Sequence, residues 1–258
     1  MKILLTGSEG FIGQNLQSFL KDEHQLICLD KKLGNDLINC DLDYDVDLVI
    51  HLAGLSGVRD SLDNPTDYWI NNVVTSHRLF DHFKNVRILY ASSSTASEPW
   101  RNPYAMSKYY MEKIAPKNSL GMRFTTVYGT GARESMLIPK LLKKDVSYIN
   151  VDHFRDFIHV EDLMSAIKIL IKNNVKDKVL DIGTGKSINL LDLLYALNIK
   201  EIEKRMGTMF ERKDNKADIN VLTNLNWKPQ IDLLNYLKEN YDNWRILKRQ
   251  FFKRLFYR

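Results

Sequence analysis

The chain is poor in cysteine and has no long apolar stretch, and each shortage narrows what it can be. Its two cysteines, Cys28 and Cys40, fall in a predicted strand and beside another, with neither CxxC spacing nor a histidine cluster around them. Buried, reduced thiols are the simplest reading, and no metal site is expected. No run of about 18 apolar residues is present, which excludes a membrane-spanning helix of the usual kind. The opening segment MKILLTGSEG lacks the long apolar region and small-residue cleavage site of a secretory signal, so a cytoplasmic location is expected. Internal repeats and low-complexity linkers are missing too. The 258 residues are enough for one substantial core with a smaller lobe attached.

What is present fits a soluble globular protein, with 44% apolar and 27% charged residues. The formal charge of +5 would suit an anionic ligand, but much of the excess lies in the final WRILKRQFFKRLFYR. Charge therefore says little about an active site, and no nucleic-acid partner is expected. In that tail Trp244, Leu247, Phe251, Phe252, Leu255 and Phe256 alternate with Lys and Arg. Such a stripe packs on its own protein in the preferred reading, and contacts an anionic membrane surface in the alternative.

Short apolar runs alternate with amphipathic stretches: KILLTG, FIGQNLQSFLKD, QLICLD, DLVIHLAG, WINNVVTSHRLFDHFK, VRILYASSS. This rhythm predicts an α/β chain with a Rossmann-type doubly wound parallel sheet. The first domain is assigned to residues 1–165 and also takes in about 176–184. Residues 166–258 give mainly a smaller, interleaved lobe and the basic tail. From about 184 onward the sequence reads as mostly helical and polar.

In ILLTGSEGFIG, Gly7, Gly10 and Gly13 stand between a predicted strand and the helix starting near Phe11. Glycines there permit a tight turn and a close approach of backbone to a pyrophosphate at the positive end of the helix. A dinucleotide is the natural ligand, with Phe11 and Ile12 beside it. The next strand ends in Asp30, where a carboxylate can accept from both ribose hydroxyls and repel a 2′-phosphate. NAD is thus favoured over NADP, although Lys31 and Lys32 adjoin. Asp41 and Leu42 precede the following strand, and Leu52, Ala53 and Gly54 end it with small residues against which a cofactor can lie.

Tyr104 and Lys108 are four residues apart on a predicted helix and share one face. A nearby ammonium favours the phenolate and brings the tyrosine toward use as a base. Ser94, at the end of a strand, could donate to the same substrate oxygen.

Taken together, TGSEGFIG, HLAG, the strand ending in ASSS, YAMSK, RFTTVYG and RDFIHVEDL resemble the extended short-chain dehydrogenase/reductases that act on nucleotide sugars. The resemblance spans nearly the whole chain. It implies an NAD-binding domain with a sugar-nucleotide lobe, Tyr104 as general base, Lys108 as its tuning partner and ribose ligand, and Ser94 as hydroxyl partner. It also implies that Asn72 helps hold the active-site helices. Family dehydratases carry an Asp-Glu pair after the catalytic Thr, and decarboxylases a Glu after the Ser; Thr95 and Ala96 stand there instead. The stretch HLAGLSGVRDSLDNPTDYWINN is similar to UDP-glucuronate 4-epimerases, and that resemblance implies roles for Arg59, Thr126 and Arg133 in seating a UDP-sugar. Arg155 is expected to face the phosphates, and His159 to be a packed or hydrogen-bonded histidine.

The resemblance implies an NAD-dependent nucleotide-sugar 4-epimerase, with UDP-glucuronate and UDP-galacturonate in polysaccharide biosynthesis as the expected pair. UDP-glucose or UDP-N-acetylglucosamine 4-epimerisation, 4-keto-sugar reduction with NAD(P)H, and a non-catalytic sensor are the alternatives. Two departures stand out. Nine residues separate Ser94 from Tyr104 where the family has many more, and Pro116 should end the Tyr104 helix after about three turns. That helix pairs in relatives with the one near residues 68 to 83 of a second copy, so a homodimer is a weaker expectation here.

Overall fold

A computed structural model describes residues 1–199 and 201–241, so the basic aromatic tail lies outside the described residues. The strands are β1 (Lys2–Thr6), β2 (Gln25–Leu29), β3 (Leu48–His51), β4 (Arg87–Ser93), β5 (Ser119–Phe124) and β6 (Thr126–Tyr128). They are followed by β7 (Tyr148–Asn150), β8 (Phe154–His159), β9 (Val179–Ile182), β10 (Ser187–Asn189) and β11 (Glu203–Arg205). Helices α1 (Phe11–Leu20), α2 (Val58–Asp63), α3 (Pro65–Tyr68), α4 (Thr75–His82) and α5 (Pro103–Ile114) fall in the first half. Helices α6 (Leu137–Lys143), α7 (Val160–Lys172), α8 (Leu190–Ala196) and α9 (Asn220–Asn224) fall in the second. No helix among the described residues is long and apolar enough to cross a membrane.

Six parallel strands form the main sheet in the order β2-β1-β3-β4-β5-β9, the doubly wound arrangement expected from the alternating sequence. Strand period decides which side chains meet which helices. Ile3 and Leu5 of β1, Leu48 and Ile50 of β3, and Leu89 and Ala91 of β4 enter one core with α1 and α7. The intervening Leu4, Val49, Ile88 and Tyr90 enter the opposite core with Leu79, Phe80 and Met111 of α4 and α5. The chain leaves β1 for one edge and returns at β3 on the other side, so a crevice opens between their carboxyl ends.

The buried face of α7, from Leu163 through Ile171, packs into the main core. The smaller lobe has its own core of Tyr128, Ile138, Leu141, Phe157, Leu193 and Leu237. Where mainly helix was expected, β10 pairs with β8 and β11 with β7, because Ser187–Asn189 finds free backbone groups along β8. α5 ends after 12 residues, with Ala115 extended ahead of Pro116.

Asp156 joins the two parts. Fully buried on β8, its carboxylate accepts from Thr184 N at 2.8 Å, Thr184 Oγ1 at 2.7 Å, Gly185 N at 2.9 Å and Ala217 N at 3.1 Å. Asp156→Ala would strand three N–H groups in and beside the buried junction. The expected loss is about 3 kcal/mol or more, read as a lower urea midpoint, with Asp156→Asn losing less.

Candidate functional site

The glycine turn sits at the mouth of the crevice. Gly7 adopts φ +70°, and a Cβ on Gly13 would lie 2.1 Å from the Gly7 carbonyl oxygen, so neither position admits a side chain. Gly10 caps α1 without any side-chain bond, which leaves the N–H groups of the first turn facing the crevice. Asp30, at the tip of β2, accepts from Glu9 N at 3.0 Å and from Lys32 N at 2.9 Å, fixing its carboxylate against this turn. Gly54 lies three residues past the end of β3 with φ +149°; a Cβ there would meet Asn72 Oδ1 at 2.7 Å and Lys108 Nζ at 3.5 Å.

A cavity of about 550 Å³ runs from Gly7, Gly10, Phe11, Ile12 and Gly13 past Leu52 and Gly54 to Ser94, Tyr104 and Lys108. It continues to Thr126, Arg133, Arg155, Glu211, Arg212 and Asn215. Most of the expected site residues therefore meet in one space. Ala53 packs beside it in the second core, Leu42 is buried in that same core, and Asp41 is exposed and accepts from Asp43 N. Arg59 lines an adjoining cavity of about 280 Å³ instead, with its guanidinium 5.2 Å from the centre of the Tyr148 ring. Thr126, Arg155 and Glu211 line both spaces.

At the centre, Asn102 caps α5 by accepting from Ala105 N at 2.8 Å, which sets the helix bearing Tyr104 and Lys108. Lys108 is buried and its Nζ donates to the Ala91 carbonyl at 2.9 Å. Burial pushes its pKa down to about 8, with the Glu112 carboxylate acting the other way. Burial raises the Tyr104 phenol above its ordinary range, while a hydrogen bond with Ser93 and the charge of Arg133 draw it back. The hydroxyl that acts on Tyr104 in this way is that of Ser93, the neighbour of the expected Ser94. Ser93 Oγ already accepts from Thr95 N and Thr95 Oγ1, so its own proton is free to donate. Ser94 is buried and lines the cavity, and its carbonyl accepts from Arg212 Nη1 at 2.8 Å.

Sequence reading missed Ser93, Glu211, Arg212 and Asn215. The last three lie on residues 207–217, which return from the lobe across the short segment between Ser94 and Tyr104. Arg101 Nη1 donates to Met209 O and Asn102 Nδ2 to Phe210 O, each at 2.8 Å, and Arg212 pairs with Glu98 at 3.0 Å. Asn215 Nδ2 donates to Thr126 Oγ1 at 3.1 Å. Arg133 reaches Ser56 Oγ at 3.1 Å. His159 is buried and caps α7, accepting from Glu161 N at 3.3 Å, as a packed histidine should.

The model of the NAD dependent epimerase/dehydratase family matches residues 3–183, which hold the glycine turn, Tyr104 and Lys108. The chain belongs to that family. Among its relatives, the UDP-glucuronate 4-epimerase of Thermodesulfobacterium geofontis is 29% identical over 80% of this chain and 76% of its own. The UDP-glucose 4-epimerase of Lactobacillus helveticus is 28% identical over 89% and 92%. The fold is that of the Bacillus cereus UDP-glucuronic acid 4-epimerase solved with UDP-glucuronic acid and NAD, with a TM-score of 0.80 at 24% identity over 96% of this chain and 100% of that one.

NAD is the cofactor of this family, and the crevice fits it. The uncapped first turn of α1 offers donors to a pyrophosphate, Asp30 would accept from a ribose, and the glycines at 7 and 54 let the turns at the strand ends pack closely on Ala53 and Asn72 beside the crevice.

The buried Lys108 carries a folding penalty. Because its folded pKa is lowered, the unfolded chain binds more protons between about pH 8 and its ordinary 10.5, and stability should rise with pH in that window. Lys108→Met should therefore melt at higher temperature than the parent at pH 7. That advantage should shrink as pH climbs from 8 to 10.5, which parallel melting curves would read.

Proposed function

We propose that the protein is an NAD-dependent nucleotide-sugar 4-epimerase, with UDP-glucuronate and UDP-galacturonate as the pair it interconverts. The carrying observation is the acid-base content of the cavity. Its tyrosine, lysine and serine hydroxyls converge at one end, and the sole carboxylate among its described lining residues, Glu211, is ion-paired with Arg59 and Arg155. Thr95 lines the cavity and Ala96 is buried beside it, so the positions after Ser94 supply no carboxyl group for elimination at the neighbouring carbon. Removal and return of a proton on one oxygen needs no more than is there.

When bound, NAD supplies the reversible oxidation at carbon 4. Tyr104 takes the proton of the 4-hydroxyl and later returns it to the same oxygen, while Ser94 donates to that oxygen and Ser93 to the tyrosine. Lys108, cationic below about pH 8 and beside Gly54, would favour the phenolate and hold the cofactor's ribose. Arg133, Arg155 and Arg212 give the far end of the cavity three guanidinium groups, a lining suited to a diphosphate and a sugar carboxylate. Relatives named for UDP-glucuronate epimerisation support that substrate.

Purified protein incubated with UDP-glucuronate, UDP-glucose and UDP-N-acetylglucosamine separately should convert UDP-glucuronate to its carbon 4 epimer in proton NMR spectra, without net NADH. Net consumption of NAD(P)H with a 4-keto sugar, and no epimer, would replace this reading with a reductase. Tyr104→Phe should lower kcat by about 10²–10⁴-fold and leave NAD binding intact by fluorescence titration; an active Phe variant would remove Tyr104 as the base.

A further inference from the structure

Glu211 stands on the wall shared by the two cavities. Its Oε1 lies 3.2 Å from Arg59 Nη2, and its Oε2 lies 3.6 Å from Arg155 Nη2, 3.4 Å from His153 Nδ1 and 3.3 Å from Asn150 Nδ2. One carboxylate thus gathers the donors that bridge the sugar side and the Tyr148 side. Hydrogen bonding to His153 and the charges of Arg59 and Arg155 hold its pKa at about 2, so it is ionised at any working pH. Glu211 is 16% exposed and Arg59 63% exposed, so the pair can open toward solvent from the arginine side.

We infer that Glu211 is an internal anion occupying the place of the substrate's diphosphate between Arg59 and Arg155, and that substrate seats by displacing it. The inference rests on the nucleotide-sugar reading for the identity of the natural ligand, but not for the existence of the anion site. A diphosphate carries more charge and more acceptor oxygens than a carboxylate, so it exchanges for Glu211 where a singly charged anion does not. The carboxylate keeps the guanidinium groups from repelling one another and sets a threshold of charge that a ligand must exceed. A carboxylate that only held the arginines in place would instead strengthen anion binding, so the two roles differ in sign.

The test is calorimetric titration of the parent, Glu211→Gln and Glu211→Asp with inorganic pyrophosphate, then with UDP. Gln removes the competing charge, and Asp keeps the charge but shortens its reach, which guards against a Gln variant that does not fold. The expected result is pyrophosphate binding roughly five- to tenfold tighter in Gln, with Asp intermediate. Melting temperatures should follow, lower than the parent for Gln without anion and restored by pyrophosphate. Equal or weaker pyrophosphate binding in both variants, or none in any of the three proteins, overturns the inference. Tighter pyrophosphate binding in the variants with no UDP binding in any would uphold it and remove the UDP-sugar reading instead.

Discussion

The site depends on one buried amide. Asn72 is fully buried; its Oδ1 accepts from Leu55 N at 2.7 Å and its Nδ2 donates to Leu55 O at 3.0 Å and to Ser107 Oγ at 2.9 Å. These bonds pin the turn after β3 to the middle of α5, and so fix the distance between the cofactor crevice and the Tyr104–Lys108 face. The residue sits in a π-helical stretch, Trp69–Val74, between α3 and α4. A π turn holds an extra residue and shifts the side chains that follow it, which accounts for a wide turn in the middle of an otherwise continuous helix. Loss of the amide would leave the Leu55 backbone groups unpaired beside a buried lysine.

Around that amide the protein accepts several unfavourable burials. Lys108 is almost wholly out of water with one carbonyl for a partner, and Tyr104 is raised by its surroundings before any neighbour draws it back. His51, buried beneath, bonds Thr6 Oγ1 at 2.7 Å and Ser76 Oγ at 2.9 Å, and its pKa falls to about 3 through burial and the charge of Lys108. It stays neutral, and so adds no second positive charge beneath the lysine. Glu112, bonded to both Arg123 and Ser92, supplies the opposing field from one turn farther along α5.

The cofactor half of this arrangement was legible because its signals are local. Gly7, Gly10 and Gly13 must lie at a strand-helix turn, Tyr104 and Lys108 must share a helix face, and alternating strands declare their two cores. The anion half was not, since Glu211, Arg212 and Asn215 come from a segment without period or motif, and only tertiary pairing with Ser94, Glu98 and Thr126 brings them in. Arg59 was readable as a candidate but not as a resident of the neighbouring space. Ser93 and Ser94 are adjacent in a run of three serines, and which hydroxyl reaches Tyr104 depends on where β4 ends and the next turn begins. Strands β10 and β11 are three residues each, too short for alternation to show.

Residues 207–217 also govern the order in which the molecule can be completed. As the chain emerges during synthesis, the glycine turn, α5 and the first five strands of the sheet are all available before the lobe exists. The contacts that finish the sugar end join residues 108 to 118 positions apart, from Arg101 to Met209 and from Ser94 to Arg212. Closing loops of that size makes them late events. The nascent chain thus holds the residues of the dinucleotide crevice well before Glu211, Arg212 and Asn215 can close the sugar end.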